Sequence, residues 1–205
     1  MTIAEAPLVG RPASRATAQR TRLRIIEAAT EEFSAKGFDA GRLDDIALRA
    51  GVNKNVIYYY FGSKDDLFTA VLEATYEAIR VRQQDLELRS LAPEEAMRQL
   101  VLFTGRIWME QPHFQRLLHS ANLHGARHVR RSARIPQLYN PLVGTIRELL
   151  ERGQREGRFR EDVDPVDLYI SITSLTAHYV SHHHTFEALF DRKLMTPVRE
   201  RARAS

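Results

Sequence analysis

Three residues constrain this chain more than any others: Ala47, Gly51 and Ile57, placed four and then six positions apart. Apolar periodicity predicts one short helix over 43–50, stopped by Gly51, and a second from Asn53, a good N-cap, to Phe61, stopped by Gly62. Two helices joined by so short a turn must cross closely. Ala47 supplies the small side chain at the crossing. Gly51 supplies a turn residue tolerant of positive φ, and Ile57 the branched apolar side chain that locks the second helix. Ile46, Ala50, Val52 and Val56 add apolar packing. This is the pattern of a helix-turn-helix, whose second helix presents its first residues to the major groove of DNA.

The rest of the chain reads as helix, with no convincing strand and no internal repeat. Helical spacing begins near Thr21, with Leu23, Ile26, Thr30 and Phe33 on one stripe, and Gly37 ends that run. Ser63-Lys64-Asp65-Asp66 opens a long helix in the manner of a capping box. Two apolar stripes run along it: Leu67, Val71, Ala74, Ala78 and Val81, and Phe68, Leu72, Tyr76 and Ile79. A helix with two such stripes packs on both sides. Pro93 with Glu94 and Glu95 starts a helix to about Met109, and Pro112 starts another to about Ala121. The basic stretch 122–136 gives no assignment. Leu138, Leu142, Ile146 and Leu149 mark a helix fading near Gly153 to Gly157. Asp164-Pro165-Val166-Asp167 is a strong start signal for a helix with stripes Val166, Ile170, Thr173, Ala177, Val180 and Leu168, Ile172, Leu175, Tyr179. Phe186 to Phe190 reads as a last short helix.

Charge is distributed unevenly. Residues 1–24 hold five arginines against Glu5, which accounts for the whole net charge of +4 across 205 residues. A basic arm ahead of a balanced body suits a polyanionic partner; a solvated tail has the same composition. There are no cysteines, so disulfides and thiolate metal sites or nucleophiles are excluded. No apolar run spans a bilayer and no secretory signal is visible, which favours a cytoplasmic address. Phosphate loop, nucleophile elbow and zinc-protease motifs are lacking, so no enzyme is expected.

Asn53, Lys54, Asn55 and Val56 open the second helix of the motif, where Asn can read adenine and Lys guanine or phosphate. Of the aromatics that follow, Tyr60 and Phe61 are expected to pack inward, and Tyr58 and Tyr59 to reach phosphates. Lys64 lies at a helix start that favours a phosphate.

With these residues in view, residues 21–70 resemble the DNA-binding domain of the TetR family of bacterial regulators. The resemblance rests on Ile25-Ile26-Glu27-Ala28-Ala29, Phe33, Lys36-Gly37-Phe38, Asp45-Ile46-Ala47, Ala50-Gly51-Val52 and Tyr58-Tyr59-Tyr60-Phe61-Gly62-Ser63-Lys64. Gly41 and Arg42 depart from it, standing where the family usually has two small hydroxyl residues. Arg42 is either a phosphate or base contact or a solvated charge. Asn122 to Arg127, Asp164 to Ile172 and His184 to Phe186 look like a branch that includes regulators of pyrimidine and nicotinate catabolism.

The resemblance implies an all-α chain: a basic arm (1–17), a helix-turn-helix DNA-binding domain (18–65) and a helical effector-binding and dimerisation domain (66–205). It implies a homodimer on a palindromic operator in double-stranded DNA, a small-molecule effector, no cofactor, no membrane, and repression relieved by ligand. The helix opened by Asp164 and the one around Leu138 to Gly153 would pair with their symmetry mates. The helix opened by Ser63 would act as the lever. Candidate effector contacts are Tyr76, Phe103, Arg106, Ile107, Asn122 and Tyr139. The alternative is a helical interaction module without specific DNA binding.

Two histidine groups invite a metal reading. His182, His183 and His184 point about 100° apart on a helix and cannot converge on one ion. His124 and His128 share a helical face but lack the Glu of a protease motif. Arg127, Arg130, Arg131 and Arg134 read as a solvated basic face with local ion pairs; one of them could enter a pocket and hold an anion.

Overall fold

The computed structural model describes residues 15–84, 86–196 and 199. Among them are ten α-helices and one 3-10 turn, with no strand. The helices are α1 (Arg15–Ala40), α2 (Leu43–Ala50), α3 (Lys54–Phe61), α4 (Lys64–Gln84), α5 (Pro93–Glu110), α6 (Pro112–Leu123), α7 (Arg127–Arg131), α8 (Arg134–Arg155), α9 (Pro165–Ser181) and α10 (His183–Phe190). The 3-10 turn is Leu88–Ser90. None of the described helices is long and apolar enough to cross a membrane.

The predicted caps set the boundaries. Asn53 accepts a hydrogen bond from the Val56 N–H at 3.1 Å, and Ser63 accepts one from the Asp66 N–H at 3.1 Å. Asp164 accepts from both Val166 and Asp167, at 2.8 and 2.9 Å. Each bond satisfies an N–H that the first helical turn leaves without a partner. The break at Gly37 is also present, with φ 76° and ψ 175° inside the span of α1.

The structure differs from the sequence reading in five places. α1 begins at Arg15, not near Thr21, so residues 15–17 belong to a helix; the remainder of the proposed arm, 1–14, lies outside the described residues. The core side of α1 is formed by Ile25, Ile26, Ala28, Ala29 and Phe33, whereas Leu23 is exposed. Along α4 the first apolar stripe fails at its end, with Ala78 and Val81 exposed. The unassigned stretch 122–136 holds α7 and the first turn of α8. A helix of five residues with four charged or ionisable side chains carries no apolar period to detect. α10 also starts earlier than expected, at His183.

One apolar core runs from α1 through α4 into α5, α6 and α8. Ile25, Phe33, Ile46, Ile57, Leu67, Phe68, Leu72, Tyr76, Phe103, Ile107, Trp108 and Phe114 all belong to it. A second cluster, centred on Leu100, Leu142, Ile146 and Leu149, ties α5 to α8. α4 thus packs on the short helices with its first half and on the long bundle with its second. A rigid-body shift of α4 must therefore be felt by both. α9 packs on α5 and α8 with Ile172 buried, but Val166, Ile170 and Leu175 of the same helix are exposed.

Candidate nucleic-acid interface and effector cavity

α2 and α3 meet as the spacing requires. Gly51 takes the left-handed conformation, φ 63° and ψ 40°, which costs a Cβ-bearing residue energy. Val52 N–H donates to the Ala47 carbonyl at 3.0 Å across the turn. Ile57 is fully buried, 0% exposed, while Tyr59 two positions on is 83% exposed. Tyr58 and Asn55 are exposed, and Tyr60 and Phe61 are half-buried against the core. α3 therefore turns one face inward on Ile57 and presents Asn55, Tyr58 and Tyr59 outward.

The polar candidates already have partners. Lys54 Nζ donates to Asp44 Oδ2 at 3.1 Å, an exposed pair of the kind worth at most about 1 kcal/mol, so a phosphate can replace it. Lys64 Nζ donates to the Asp39 carbonyl at 3.0 Å and lies 4.9 Å from the Phe38 ring centroid. Asn53 spends its side-chain oxygen on the cap, which leaves its amide N–H groups for other work. Val56 is half-buried.

The departure at Gly41-Arg42 has a structural reason. A Cβ at Gly41 would stand 2.6 Å from Cδ1 of the Phe33 ring, so this packing excludes a larger residue. Arg42 is the N-cap of α2 and makes no side-chain cap. Its backbone N–H instead donates to Glu32 Oε1 at 3.1 Å. Glu32 is buried and also receives Lys36 Nζ at 2.8 Å. Sequence reasoning missed this carboxylate, because the cap comes from the preceding helix. Arg42 is exposed, as is Asp44, the partner of Lys54.

The link between the short helices and the bundle is ionic as well as apolar. The arginines of the basic run reach back to acids on α4. Arg127 pairs with Asp65 at 3.1 Å and Arg131 with Asp66 at 2.7 Å, and Arg134 pairs with Glu77. His128, 0% exposed, places Nε2 3.1 Å from Asp65 Oδ1. Its ring packs on Phe38 and Phe68 with centroids 4.7 and 4.8 Å apart. Burial holds its pKa below the usual histidine value, against the opposing pull of Asp65. His124 joins Asp39 at 3.3 Å, and the Phe38 N–H donates to Ser120 Oγ at 2.8 Å. None of these arginines lines a cavity named below; the expected local ion pairs are in fact pairs across two helices.

Between α4, α5, α8 and α9 lies a cavity of about 20 Å³, lined by Arg80, Phe103, Ile107, Trp108, Tyr139 and Tyr169 among others. Tyr76 stacks edge-on against Tyr139 at 5.2 Å, and Tyr169 Oη donates to Tyr139 Oη at 3.3 Å. Burial pushes the Tyr76 phenol up to about 12 and that of Tyr139 well above its usual value, so both are neutral donors at physiological pH. Of the predicted effector contacts, Phe103, Ile107 and Tyr139 line this cavity and Tyr76 abuts it. Arg106 and Asn122 do not belong to it. Both are exposed, and Asn122 Nδ2 donates to the Leu118 carbonyl at 2.9 Å. Arg80 was not predicted: it reads as the polar neighbour of two apolar stripes. A wider cavity of about 820 Å³ opens beside it, lined by Arg80, Gln83, Leu86, Leu138, Pro141 and Leu142 among others.

His182 and His183 do not converge with His184 on one point: the His182 ring stacks on His178 at 4.2 Å and the His183 ring on His184 at 3.8 Å. Among the described residues no group of three potential ligands is placed to hold a metal ion.

Comparison with known proteins agrees with this geometry. Residues 25–71 match the model of bacterial regulatory proteins of the tetR family, and residues 93–205 match the tetracyclin repressor-like C-terminal domain. The HTH-type transcriptional repressor NicS of Pseudomonas putida is 39% identical over 83% of this chain and 81% of its own length. The HTH-type transcriptional regulator RutR of Escherichia coli K12 is 28% identical over 85% of this chain and 80% of its own. Among solved structures, a transcriptional regulator of Streptomyces coelicolor superposes with a TM-score of 0.68 at 25% identity, covering 90% of this chain and 93% of that one.

Proposed function

This chain belongs to the TetR family of bacterial transcriptional regulators, and from that premise we propose that it is a cytoplasmic repressor which leaves its operator when a small molecule enters the bundle. It is a DNA-binding regulator and not an enzyme. In the proposed division of labour, residues 18–65 read DNA and residues 66–205 bind effector and dimerise. The observation that carries the reading is the two-sided α3, with Ile57 sealed in the core and Asn55, Tyr58 and Tyr59 outside. Lys54 and Asn55 are assigned to base edges, and Arg42, Tyr58, Tyr59 and Lys64 to phosphates. Asn53 and Val56 set the helix start against the groove.

A dimer sets two copies of α3 in successive major grooves, about 34–36 Å apart. The apolar surface left bare on α9 is assigned to the symmetry mate, with α8 beside it. Ligand acts through α4, because α4 borders the effector cavity at Arg80 and carries Lys64, Asp65 and Asp66 at its other end. A coupling of about 1–3 kcal/mol weakens operator binding roughly 5- to 150-fold.

Selection of bound sequences from random duplex DNA tests this. A palindromic consensus with half-sites one helical turn apart is the expected result; binding without any consensus would overturn it.

A further inference from the structure

The effector's identity leaves no direct mark, but its charge does. Arg80 stands at the wall between the two cavities and lines both. Its guanidinium lies 4.7 Å from the Tyr139 ring centroid, and its Nη1 donates to the Gln83 side-chain oxygen. Its Nε–H is buried with no hydrogen-bond partner, and among the described residues no carboxylate is paired with it. The remaining basic residue of the wider cavity, Arg89, is bound to Glu148 at 3.1 Å. Other basic side chains around α4 are likewise matched, including Arg82 with Glu110.

An arginine that is always charged, half-withdrawn from water and short of an acceptor is costly unless something completes it. Three tyrosines and an apolar wall surround it, and a neutral amide meets one of its edges. What it lacks is a planar acceptor for the Nε edge, which a carboxylate fits with two parallel bonds. Glu87 also lines the wider cavity but makes no ion pair with Arg80, so the anion is assigned to the Arg80 edge alone and not to the cavity's overall charge. The inner cavity, about 20 Å³, has room for about one water and not for a carboxylate, so the acid would approach Arg80 from the wider one. The outer one, about 820 Å³, is in the range that holds a small organic molecule. Its floor is Leu86, Leu138, Pro141 and Leu142.

The geometry points to an effector that is a small organic monocarboxylate, its carboxylate held by the Nε edge of Arg80 and its apolar body laid on Leu86, Leu138, Pro141 and Leu142. This rests on the reading of the protein as an effector-responsive regulator, and names the class of effector. Gln83 positions the guanidinium, and Tyr139 supports it from below. Because Arg80 projects from α4, the ligand's charge pulls on the lever itself.

The test uses the full chain with benzoate and hexanoate, each against its neutral primary amide, at matched ionic strength. Thermal melting reads binding, and an operator duplex from the selection above reads release. At least one acid is expected to raise the melting temperature and weaken operator binding, while its amide does neither. Arg80→Met should weaken the acid's binding on the order of tenfold or more yet still bind the duplex. Arg80→Lys, which keeps the charge but loses the fork, should fall between the two and serves if the Met variant does not fold. Equal effects of acid and amide, an unchanged response in Arg80→Met, or no response to either acid would overturn the inference while leaving the DNA reading intact. Failure of the wild type to bind any duplex would strike the regulator reading instead, and the melting comparison would still decide the ligand class.

Discussion

Two of the helices that leave large side chains in water, α3 and α9, do so in different chemistries. α3 exposes Tyr58 and Tyr59 beside Asn55, with Lys54 half-exposed. α9 exposes Val166, Ile170 and Leu175, the last at 72%, among serines. A phenol offers an apolar body with a hydroxyl that donates to an anion, which suits a phosphate backbone. A bare aliphatic strip has no such use and is relieved only by another apolar surface. In the proposed reading this difference gives the first helix to a polyanion and the second to a copy of the same chain. Between them α4 carries acids at one end, matched by the arginines of α7, and Arg80 at the other.

Substitutions can break this contrast. The largest effect is expected from Ile57→Ala, which hollows the core behind α3 and should cost about 2–5 kcal/mol, seen as a lower melting temperature and lost DNA binding together. Next, Ile170→Asp with Leu175→Asp should turn the dimer into monomer in sedimentation velocity while leaving the helical content unchanged. A dimer that survives both charges would refute the assignment of α9. Tyr59→Ala and Lys54→Ala should each weaken operator binding by about 1–3 kcal/mol without disturbing melting or assembly, the opposite pattern to α9.

Smaller effects sharpen the account of α4. Asp65→Asn removes the partner of Arg127 and His128 and should change effector coupling by about 0.5–2 kcal/mol, measured as the ratio of operator affinities with and without ligand. The smallest concerns pH. Burial depresses the pKa of His128 in the folded chain, so the unfolded chain binds the proton more readily. Stability is therefore complete above about pH 6.5 and declines as pH falls below that value. His128→Gln should flatten the melting temperature between pH 7.5 and 5.5; an unchanged slope would show that other groups set it.

How much of this was legible in the sequence depended on whether the cause was local. Asn53, Ser63 and Asp164 are legible as caps because a capping side chain and the N–H that donates to it lie within three residues, and the structure has each bond. The turn at Gly51 was legible for the same reason. What escaped joins residues far apart in the chain. Glu32 capping Arg42, the arginines of α7 on Asp65 and Asp66, and Arg80 beside Tyr139 leave no periodic trace. α7 itself is too short and too charged for a period. Arg106 and Asn122 were chosen for their chemistry, and their helical phase turns them outward. Arg80 lies one residue beyond Ile79, on a face that apolar patterning marks as solvent, and it is the aromatic wall of α8 and α9 that closes over it.

The central claim is that α3, not the charged arm or the bundle, reads the operator. The most direct measurement is operator affinity against salt for the wild type and for Lys54→Ala/Tyr59→Ala. The wild type should show a steep linear fall of log affinity with log salt, and the variant should lose specific affinity, with a slope shallower by about one for each phosphate contact removed. Equal affinity and equal slope in the two proteins would contradict the claim.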